Sequence, residues 1–352
     1  MPAYRDHYFP NTEPLRPDEM RVTALGTGRP FLRRAQANTG WLVELGNGDR
    51  FMFDFGFGTQ VNFAALEIPY NAITAVFATH LHTDHVGDFM QVRQGGWSGG
   101  RTTPLQAYGP SGAIPEHGFR HFVEHQVAAF RWDADTRHGL LPLVGSEIDV
   151  HEFDHRITGP VYERNGVRII AFPAVHIYDG PVSLRLEWNG LTLVYSGDTT
   201  PSHFMLENGR GADLLIHETF DRVEVMMERA GYDERSARGI CTHAHAAPEE
   251  VGQVFAELRP RLAVGYHFYN DDDTLPGHLA AVRRHYDGPL VFARDLMVFN
   301  VTPERVIARM AVVSNETWPN KEFHDEGFKK LPRGERLKMS RWLADRQLFP
   351  KF

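Results

Sequence analysis

Residues 73–85 read ITAVFATHLHTDH, an apolar run followed by three histidines and an aspartate. The apolar run predicts a buried strand, and the polar group begins where that strand ends. Side chains two residues apart in an extended segment point to the same side, so His80 and His82 can bind one cation. The chain then turns and presents Asp84 and His85 to a second position. Because imidazoles and carboxylates are ligands for zinc or a similar divalent metal, the stretch predicts two neighbouring metal positions.

The sequence around this motif predicts one α/β body without a linker. MRVTALGTG, TGWLVELGNG and DRFMFDFGFG are short apolar runs closed by glycine turns, as in successive antiparallel strands. Asn189–Gly190 predicts a hairpin turn within a second cluster of strands. The predicted helical stretches lie at Val61–Ile68, 112–145, 221–230 and 247–258. The predicted divisions are an N-terminal arm over 1–19, a catalytic domain over 20–314 and a C-terminal extension over 315–352.

Composition narrows the class of protein. The 352 residues are 42% hydrophobic and 23% charged, which excludes a disordered or fibrous chain. We expect a cytoplasmic location and no membrane association, because the sequence contains neither a long apolar run nor a signal-peptide start. The single cysteine, Cys241, cannot form an internal disulfide.

Charge is distributed unevenly between the body and the C-terminal end. Residues 1–320 carry 28 arginines against 40 acids, whereas 321–352 carry nine basic residues, including every lysine of the chain, against five acids. An acidic body does not attract phosphate backbones over its general surface. This balance disfavours nucleic acid as a tightly bound partner, and it predicts that the lysine-rich end is peripheral or mediates contacts between identical subunits.

The pattern His-x-His-x-Asp-His after a buried strand resembles that of the metallo-β-lactamase superfamily. The resemblance covers about Met20–Val312 and implies a four-layer αββα sandwich that holds two metals between its sheets. Later members of the family pattern follow in order: His176 in FPAVHIYDG, Asp198 in YSGDT and His267 in VGYHFYNDDDT.

The resemblance also implies a role for each of these residues. It implies two zinc ions with one shared ligand: His80, His82 and His176 at the first, Asp84, His85 and His267 at the second, and Asp198 bridging both. Asp54, in FMFDFGFG, occupies the place of a family acid that accepts a hydrogen bond from a ligand imidazole. The alternative for Asp54 is an ordinary acid in a turn at a strand end.

Two further motifs resemble those of the ribonuclease Z branch. The aspartate at position 198 resembles the bridging aspartate of phosphodiesterases, lactonases and glyoxalase II, whereas true β-lactamases typically have Cys or Ser at this position. His217-Glu218-Thr219-Phe220 resembles the HEAT-type motif of tRNase Z, and the stretch from His245 resembles its later motif. The resemblance assigns Glu218 and His245 to a pair that donates a proton to the leaving group, with His243 as a competing donor. Phe220 and Ala247 depart from the residues usual in these motifs.

The loop sequences do not identify the substrate. LGTGRPFLRRAQANTG resembles the start of tRNase Z, where Arg33 and Arg34 either face an anionic substrate or are solvated turn residues. The region 112–176 contains no lysine and so lacks the basic arm with which tRNase Z clasps tRNA. The glycine-rich segment around Trp97 is interpreted as an active-site flap. The whole pattern most resembles tRNase Z-like metallo-β-lactamases of environmental bacteria, which implies promiscuity toward β-lactams.

The predicted function is that of a dinuclear zinc hydrolase that cleaves a phosphodiester or β-lactam-type bond through a metal-bound hydroxide. Asp84 is expected to orient the hydroxide and relay its proton. Two alternatives stay open: a small-molecule lactonase or amidohydrolase with no nucleic-acid role, and a metal-binding protein without turnover. The expected partners are a small-molecule or phosphodiester substrate, weakly bound nucleic acid and a second copy of the chain.

Overall fold

The computed structural model describes residues 4–317 and 326–349. Within these residues, nine strands form one sheet and seven form another. The strands are β1 His7–Tyr8, β2 Met20–Gly26, β3 Gly40–Leu45, β4 Arg50–Phe55, β5 Ala75–Phe77, β6 Leu105–Pro110, β7 Ile148–Phe153, β8 Gly159–Arg164, β9 Val167–Pro173, β10 Val182–Trp188, β11 Leu191–Tyr195, β12 Leu214–Glu218, β13 Leu262–Tyr266, β14 Leu290–Phe292, β15 Met297–Val301 and β16 Val306–Ala311. The α-helices are α1 Thr59–Ala65, α2 Thr83–Val86, α3 Phe89–Ser98, α4 Phe119–Ala129, α5 Arg131–Arg137, α6 His203–Asn208, α7 Val223–Ala230, α8 Glu234–Arg238, α9 Pro248–Leu258, α10 Leu275–Arg283, α11 Glu326–Lys330 and α12 Arg341–Ala344.

The two sheets are mixed and pack face to face. The first has the order β1-β16-β15-β2-β3-β4-β5-β6-β7, and the second has the order β14-β13-β12-β11-β10-β9-β8. The predicted antiparallel run β2-β3-β4 is confirmed, as is the hairpin β10-β11 with its turn at Asn189–Gly190. In the first sheet the strands from β16 to β4 pair antiparallel, the strands from β4 to β7 pair parallel, and β1 adds in parallel to β16. In the second sheet the strands from β8 to β11 pair antiparallel and those from β11 to β14 pair parallel.

Alternation along the strands builds the layers. In β4, Phe51 and Phe53 point into the core between the sheets, whereas Met52 points outward to a core shared with α1, α3 and α4. On the far side, Phe255 of α9 packs with α6 and α10 against the outer face of the second sheet. Helices thus cover both outer faces, and the predicted αββα sandwich is confirmed.

The strand ends bring the chemistry-bearing residues to one edge. β11, β12 and β13 are parallel neighbours, so the residues that follow them meet at the same edge of the second sheet. Asp198 follows β11, Glu218 ends β12 and His267 follows β13. His80 follows β5 at the facing edge of the first sheet. Ligand sites at the carboxyl ends of parallel strands are the usual arrangement in open α/β sheets.

Some local expectations were wrong. The segment around Trp97 is not a flap: it forms the end of α3, and the buried Trp97 indole donates a hydrogen bond to the Pro142 carbonyl at 2.7 Å. Helix α1 forms in the predicted region but ends at Ala65 instead of Ile68, and Val61 is 74% exposed because Phe63 faces the core instead. The N-terminal arm is not wholly irregular, since His7–Tyr8 adds a parallel strand to β16.

The chain beyond β16 is described in part. Residues 332–334 lie along 139–143, where the Pro332 and Arg333 carbonyls accept hydrogen bonds from Leu143 and Gly139. Lys321 and Lys351, two of the lysines on which the predicted charge asymmetry rests, lie outside the described residues. Among the described residues, no helix combines the length and apolarity that crossing a membrane requires. A cytoplasmic location stays a prediction.

Candidate metal centre and proton-donating pair

Three histidines converge on one position at the edge between the sheets. His82 Nδ1 lies 3.1 Å from His80 Nε2 and 3.3 Å from His176 Nε2. Asp198 Oδ2 lies 3.8 Å from His80 Nε2 and 4.0 Å from His176 Nε2. His80 comes from the loop after β5 and His176 from the loop after β9, so the two sheets each contribute to this cluster.

A second cluster shares the same aspartate through its other oxygen. Asp198 Oδ1 lies 3.2 Å from His85 Nε2 and 3.5 Å from His267 Nε2. Asp84 Oδ2 lies 3.3 Å from His267 Nε2 and 3.7 Å from His85 Nε2. The structure therefore brings together all seven candidate ligands, and Asp198 faces both clusters.

The spacing of these atoms fits metal ions. Nitrogen ligands about 2.0–2.1 Å from a tetrahedral ion lie about 3.3 Å from each other, close to the nitrogen separations in the first cluster. Within the described residues, His85 Nε2 and Asp198 Oδ1 are buried and make no hydrogen bond. Buried polar atoms of this kind require a partner, and a divalent metal cofactor supplies one.

The protonation states support the same conclusion. Burial lowers the pKa of His80 well below its usual range and lowers the pKa of His176 to about 4, so both imidazoles keep a free lone pair. At the second cluster, burial opposes a charge on His85, but the carboxylates of Asp198, Asp54 and Asp84 together raise its pKa well above the usual range. This cluster therefore attracts positive charge.

Asp54 supports the second cluster from behind. Its Oδ2 accepts a hydrogen bond from His85 Nδ1 at 2.7 Å and another from the Tyr195 hydroxyl at 2.6 Å. Thr79 binds the same carboxylate through its amide, at 2.7 Å, and its hydroxyl. The hydrogen bond between Asp54 and His85 Nδ1 fixes the tautomer of His85 and points Nε2 at Asp198. Asp54 has a φ of 56°, a left-handed conformation held by these contacts.

Glu218 and His245 form a hydrogen-bonded pair next to the shared aspartate. His245 Nδ1 donates to Glu218 Oε1 at 3.0 Å and lies 3.8 Å from Asp198 Oδ2. Glu218 Oε1 also accepts from the Thr199 amide at 3.0 Å. Although burial opposes it, the Glu218 carboxylate raises the pKa of His245 above its usual value, as a proton donor requires. His243 is exposed and contacts Thr242 instead.

Several supports of the site gave no signal in the sequence. Asp295 accepts hydrogen bonds from the amides of Thr27 and Ala37, and the Thr27 carbonyl accepts from the His267 amide at 3.0 Å. Asp295 thereby holds the loop on which a metal-ligand candidate rests, although 268 positions separate it from Thr27. Arg33 pairs with Asp271 at 2.9 Å, so its charge is already neutralised within the chain.

A cavity of about 410 Å³ opens beside the first cluster. Its apolar wall includes Leu81, Ile177 and Tyr178, while Glu116 and Asp179 supply its carboxylates. No arginine or lysine of the described residues lines it. The cavity is large enough for a small organic substrate and carries no side-chain positive charge of its own.

Comparison with known proteins identifies the family. A family model described as "Beta-lactamase superfamily domain" matches residues 49–268, more than half of the chain. "Ribonuclease Z" of Mycolicibacterium paratuberculosis is 31% identical over 258 residues, which cover 71% of this chain and 86% of that protein. "Ribonuclease Z" of Mycobacterium marinum is 29% identical over 255 residues, with 71% and 86% covered.

Solved structures show the same fold. The metallo-β-lactamase fold protein YhfI from Bacillus subtilis superposes with a TM-score of 0.59 at 18% identity, covering 81% of this chain and all of that one. The short form of human tRNase Z gives a TM-score of 0.58 at 19% identity, covering 79% and 98%. Together, the family match, the shared fold and the clustered candidate ligands show that the chain is a metal-binding hydrolase of the β-lactamase superfamily. Within that superfamily it is ribonuclease Z-like.

Proposed function

We propose that the protein is a dinuclear zinc hydrolase that cleaves a phosphodiester or β-lactam-type bond. The observation that carries the proposal is the position of Asp198, whose two carboxylate oxygens each face a separate ligand cluster. His80, His82 and His176 would hold one ion, Asp84, His85 and His267 the other, and Asp198 both. When bound, two such ions polarise the scissile bond and lower the pKa of water.

The residues around the ions orient the reaction. Asp84 is 2% exposed and its Oδ2 lies 3.3 Å from His267 Nε2, so its carboxylate is held within the second cluster. There it accepts a proton from attacking water and fixes the direction of attack. Removing Asp84 therefore costs both a metal ligand and this orientation.

Glu218 and His245 complete the reaction by protonating the leaving atom. The pair is buried, so the charges on the Glu218 carboxylate and the His245 imidazole are stabilised by each other instead of by solvent. Glu218 holds the Nδ1 proton of His245, which leaves Nε2 to donate a proton to the departing oxygen or nitrogen. The exposed His243 makes no contact with Glu218 among the hydrogen bonds of the described residues.

The leaving group tests this assignment. Glu218→Gln and His245→Ala are expected to retain metal but to lose about 10²–10⁴-fold in rate for an alkoxide or amide leaving group, which must be protonated. For p-nitrophenolate, which departs as a stable anion, the loss is expected to be small. His243→Ala is the matched control and should behave as the parent. Equal losses for both leaving groups, or metal loss in the variants, would contradict the pair.

The substrate we favour is small. The relatives are named ribonuclease Z, and their substrate class is the reason a phosphodiester heads the proposal. The cavity beside the clusters, however, has two carboxylates and no arginine or lysine among the described residues, and Arg33 is paired with Asp271. We therefore propose that any cleavage of precursor tRNA is weak beside that of a small diester, a β-lactam or a lactone.

A turnover screen separates these alternatives. Bis(p-nitrophenyl) phosphate, nitrocefin, a homoserine lactone and a precursor tRNA are offered to the zinc-loaded protein. Cleavage of precursor tRNA should be slow and should fall steeply with salt, because phosphate contacts release counterions. Turnover of the lactone alone would support the lactonase alternative. No turnover of any substrate would support the alternative of a metal-binding protein.

We also propose that two copies of the chain associate through the C-terminal extension. Trp342 is 71% exposed, Leu348 90% and Phe349 82%, which leaves large apolar side chains on a basic segment. A second copy offers an acidic body as a complementary surface. Light scattering should show a dimer that Trp342→Ser with Phe349→Ser converts to a monomer. A parent protein that is already monomeric would contradict this association.

A further inference from the structure

The ring of Phe220 lies flat against the imidazole of His245. The ring centroids are 4.0 Å apart and the planes meet at 12°, and both residues are buried. The Phe220 amide donates a hydrogen bond to the Ala246 carbonyl at 2.9 Å, which keeps the two segments in register. The stacking is therefore built into the backbone pairing of the two segments.

A buried arginine lies against Phe220. The guanidinium carbon of Arg29 is 5.0 Å from the centre of the Phe220 ring and 3.8 Å from that of Tyr269. Arg29 is 2% exposed, and its Nε lies 2.8 Å from Asp221 Oδ2. Asp221 also accepts a hydrogen bond from the Tyr269 amide at 3.1 Å. These contacts hold Arg29 in place and neutralise its charge.

Neither member of this ion pair has a part in the proposed chemistry. Burying an ion pair costs desolvation that is repaid only when the geometry is good. Here the cation is within cation–π distance of both aromatic rings, which adds attraction in a site shielded from water. The arrangement restrains Phe220, because its ring stacks on His245 and also contacts the guanidinium of Arg29.

The imidazole of His245 needs such a surface. Its hydrogen bond to Glu218 fixes the direction of Nδ1, but one bond does not fix the tilt of the ring. The second side-chain torsion of histidine is broad, so tilt is restricted mainly by packing. A flat ring against one face of the imidazole supplies that restriction.

We propose that Phe220, braced by Arg29, is a positioning residue that sets the plane of His245 for proton donation. The proposal rests on the proposed function of the Glu218–His245 pair. Phe220 acts through His245 and does not itself touch the reacting atoms. The rate of proton donation depends on this alignment, since a displacement of about 1 Å in a reacting group can cost 10²-fold.

The test compares leaving groups in Phe220→Leu. The variant keeps an apolar side chain but loses the flat ring. For an alkoxide leaving group we expect kcat to fall about tenfold with KM nearly unchanged, and for p-nitrophenolate we expect a change of less than about twofold. Bound metal, measured by elemental analysis, should equal that of the parent.

Two controls separate positioning from packing. Phe220→Tyr keeps the ring and should restore most of the parental rate for the alkoxide. Phe63→Leu makes the same truncation at another buried phenylalanine, in α1, and should lower stability without changing the dependence on the leaving group. A second route, Arg29→Met with Asp221→Asn, removes the brace without leaving an unpaired buried charge and should give a smaller loss of the same kind.

The outcomes also distinguish a failure of this proposal from a failure of the proposed Glu218–His245 pair. If Glu218→Gln and His245→Ala show no leaving-group dependence, the proton-donating pair is wrong. If they show it and Phe220→Leu does not, the pair stands and the positioning role is overturned. A loss of metal that accounts for the lower rate of Phe220→Leu also overturns it.

Discussion

Asp54 Oδ2 lies 2.7 Å from His85 Nδ1, and both side chains are fully buried. Three other donors bind the same carboxylate: the amide and hydroxyl of Thr79 and the hydroxyl of Tyr195. These three donors therefore hold the Asp54 carboxylate in place independently of His85. Because Asp54 orients His85, we expect it to control the affinity of the second metal position.

Replacing Asp54 tests this relationship. Asp54→Asn should lower the affinity for the second metal about 10–100-fold, since the amide is a weaker acceptor for His85. Equilibrium dialysis against zinc measures the two affinities. Tyr195→Phe, which removes one donor to the same carboxylate, should have a smaller effect. Unchanged binding in Asp54→Asn would reduce Asp54 to an ordinary acid of a strand-end turn.

The shared aspartate should differ from ligands that serve one ion. Asp198→Ser removes oxygens that face both clusters and should impair both sites, whereas His267→Ala should mainly weaken the second. Metal content after dialysis at limiting free zinc distinguishes the two variants. If the two variants lose metal equally, Asp198 does not bridge.

Trp97 should contribute to stability and not to substrate binding. Its indole is completely buried and bonds to the Pro142 carbonyl. Trp97→Ala is expected to lower the free energy of unfolding by about 3–5 kcal/mol, and Trp97→Phe by less. Urea denaturation measures the loss, and KM should stay unchanged in any variant that folds. A raised KM at parental stability would restore the flap interpretation.

Asp295 should make stability depend on pH. Burial raises its pKa to about 6, so between about pH 4 and 6 the folded protein holds a proton that the unfolded chain has released. The contribution of this group to the free energy of unfolding therefore falls as pH rises from about 4 to 6, by at most about 3 kcal/mol, and does not change further above about pH 7. Urea midpoints of the metal-free parent and Asp295→Asn test this. Parallel pH profiles for the two proteins would count against the raised pKa.

The sequence was most informative about the candidate metal ligands. The motif of residues 80–85 places four of them within six positions, and the family resemblance implied His176, Asp198 and His267. Each follows an apolar strand, and parallel strands bring their ends to one edge of a sheet. The two-layered sheet core was predictable for a similar reason, since alternation marks the faces of a strand.

The errors arose where packing overrides local preference. Gly95 and Gly96 predicted a mobile segment around Trp97, yet they lie in α3. A side-chain carbon on Gly96 would fall 1.8 Å from the guanidinium of Arg101, so the glycine is there to admit that side chain. Supports such as Tyr195 and Asp295 were not predictable either, because 141 positions separate Tyr195 from Asp54.

We propose that hydrolysis requires two ions, one in each cluster. It is tested most directly by titrating zinc into the metal-free protein while measuring bound metal and turnover of bis(p-nitrophenyl) phosphate. We predict that bound metal rises to two ions per chain and that full turnover is reached only with the second. Full turnover with one ion, or two bound ions with no turnover of this or any other substrate of the screen, would contradict the claim.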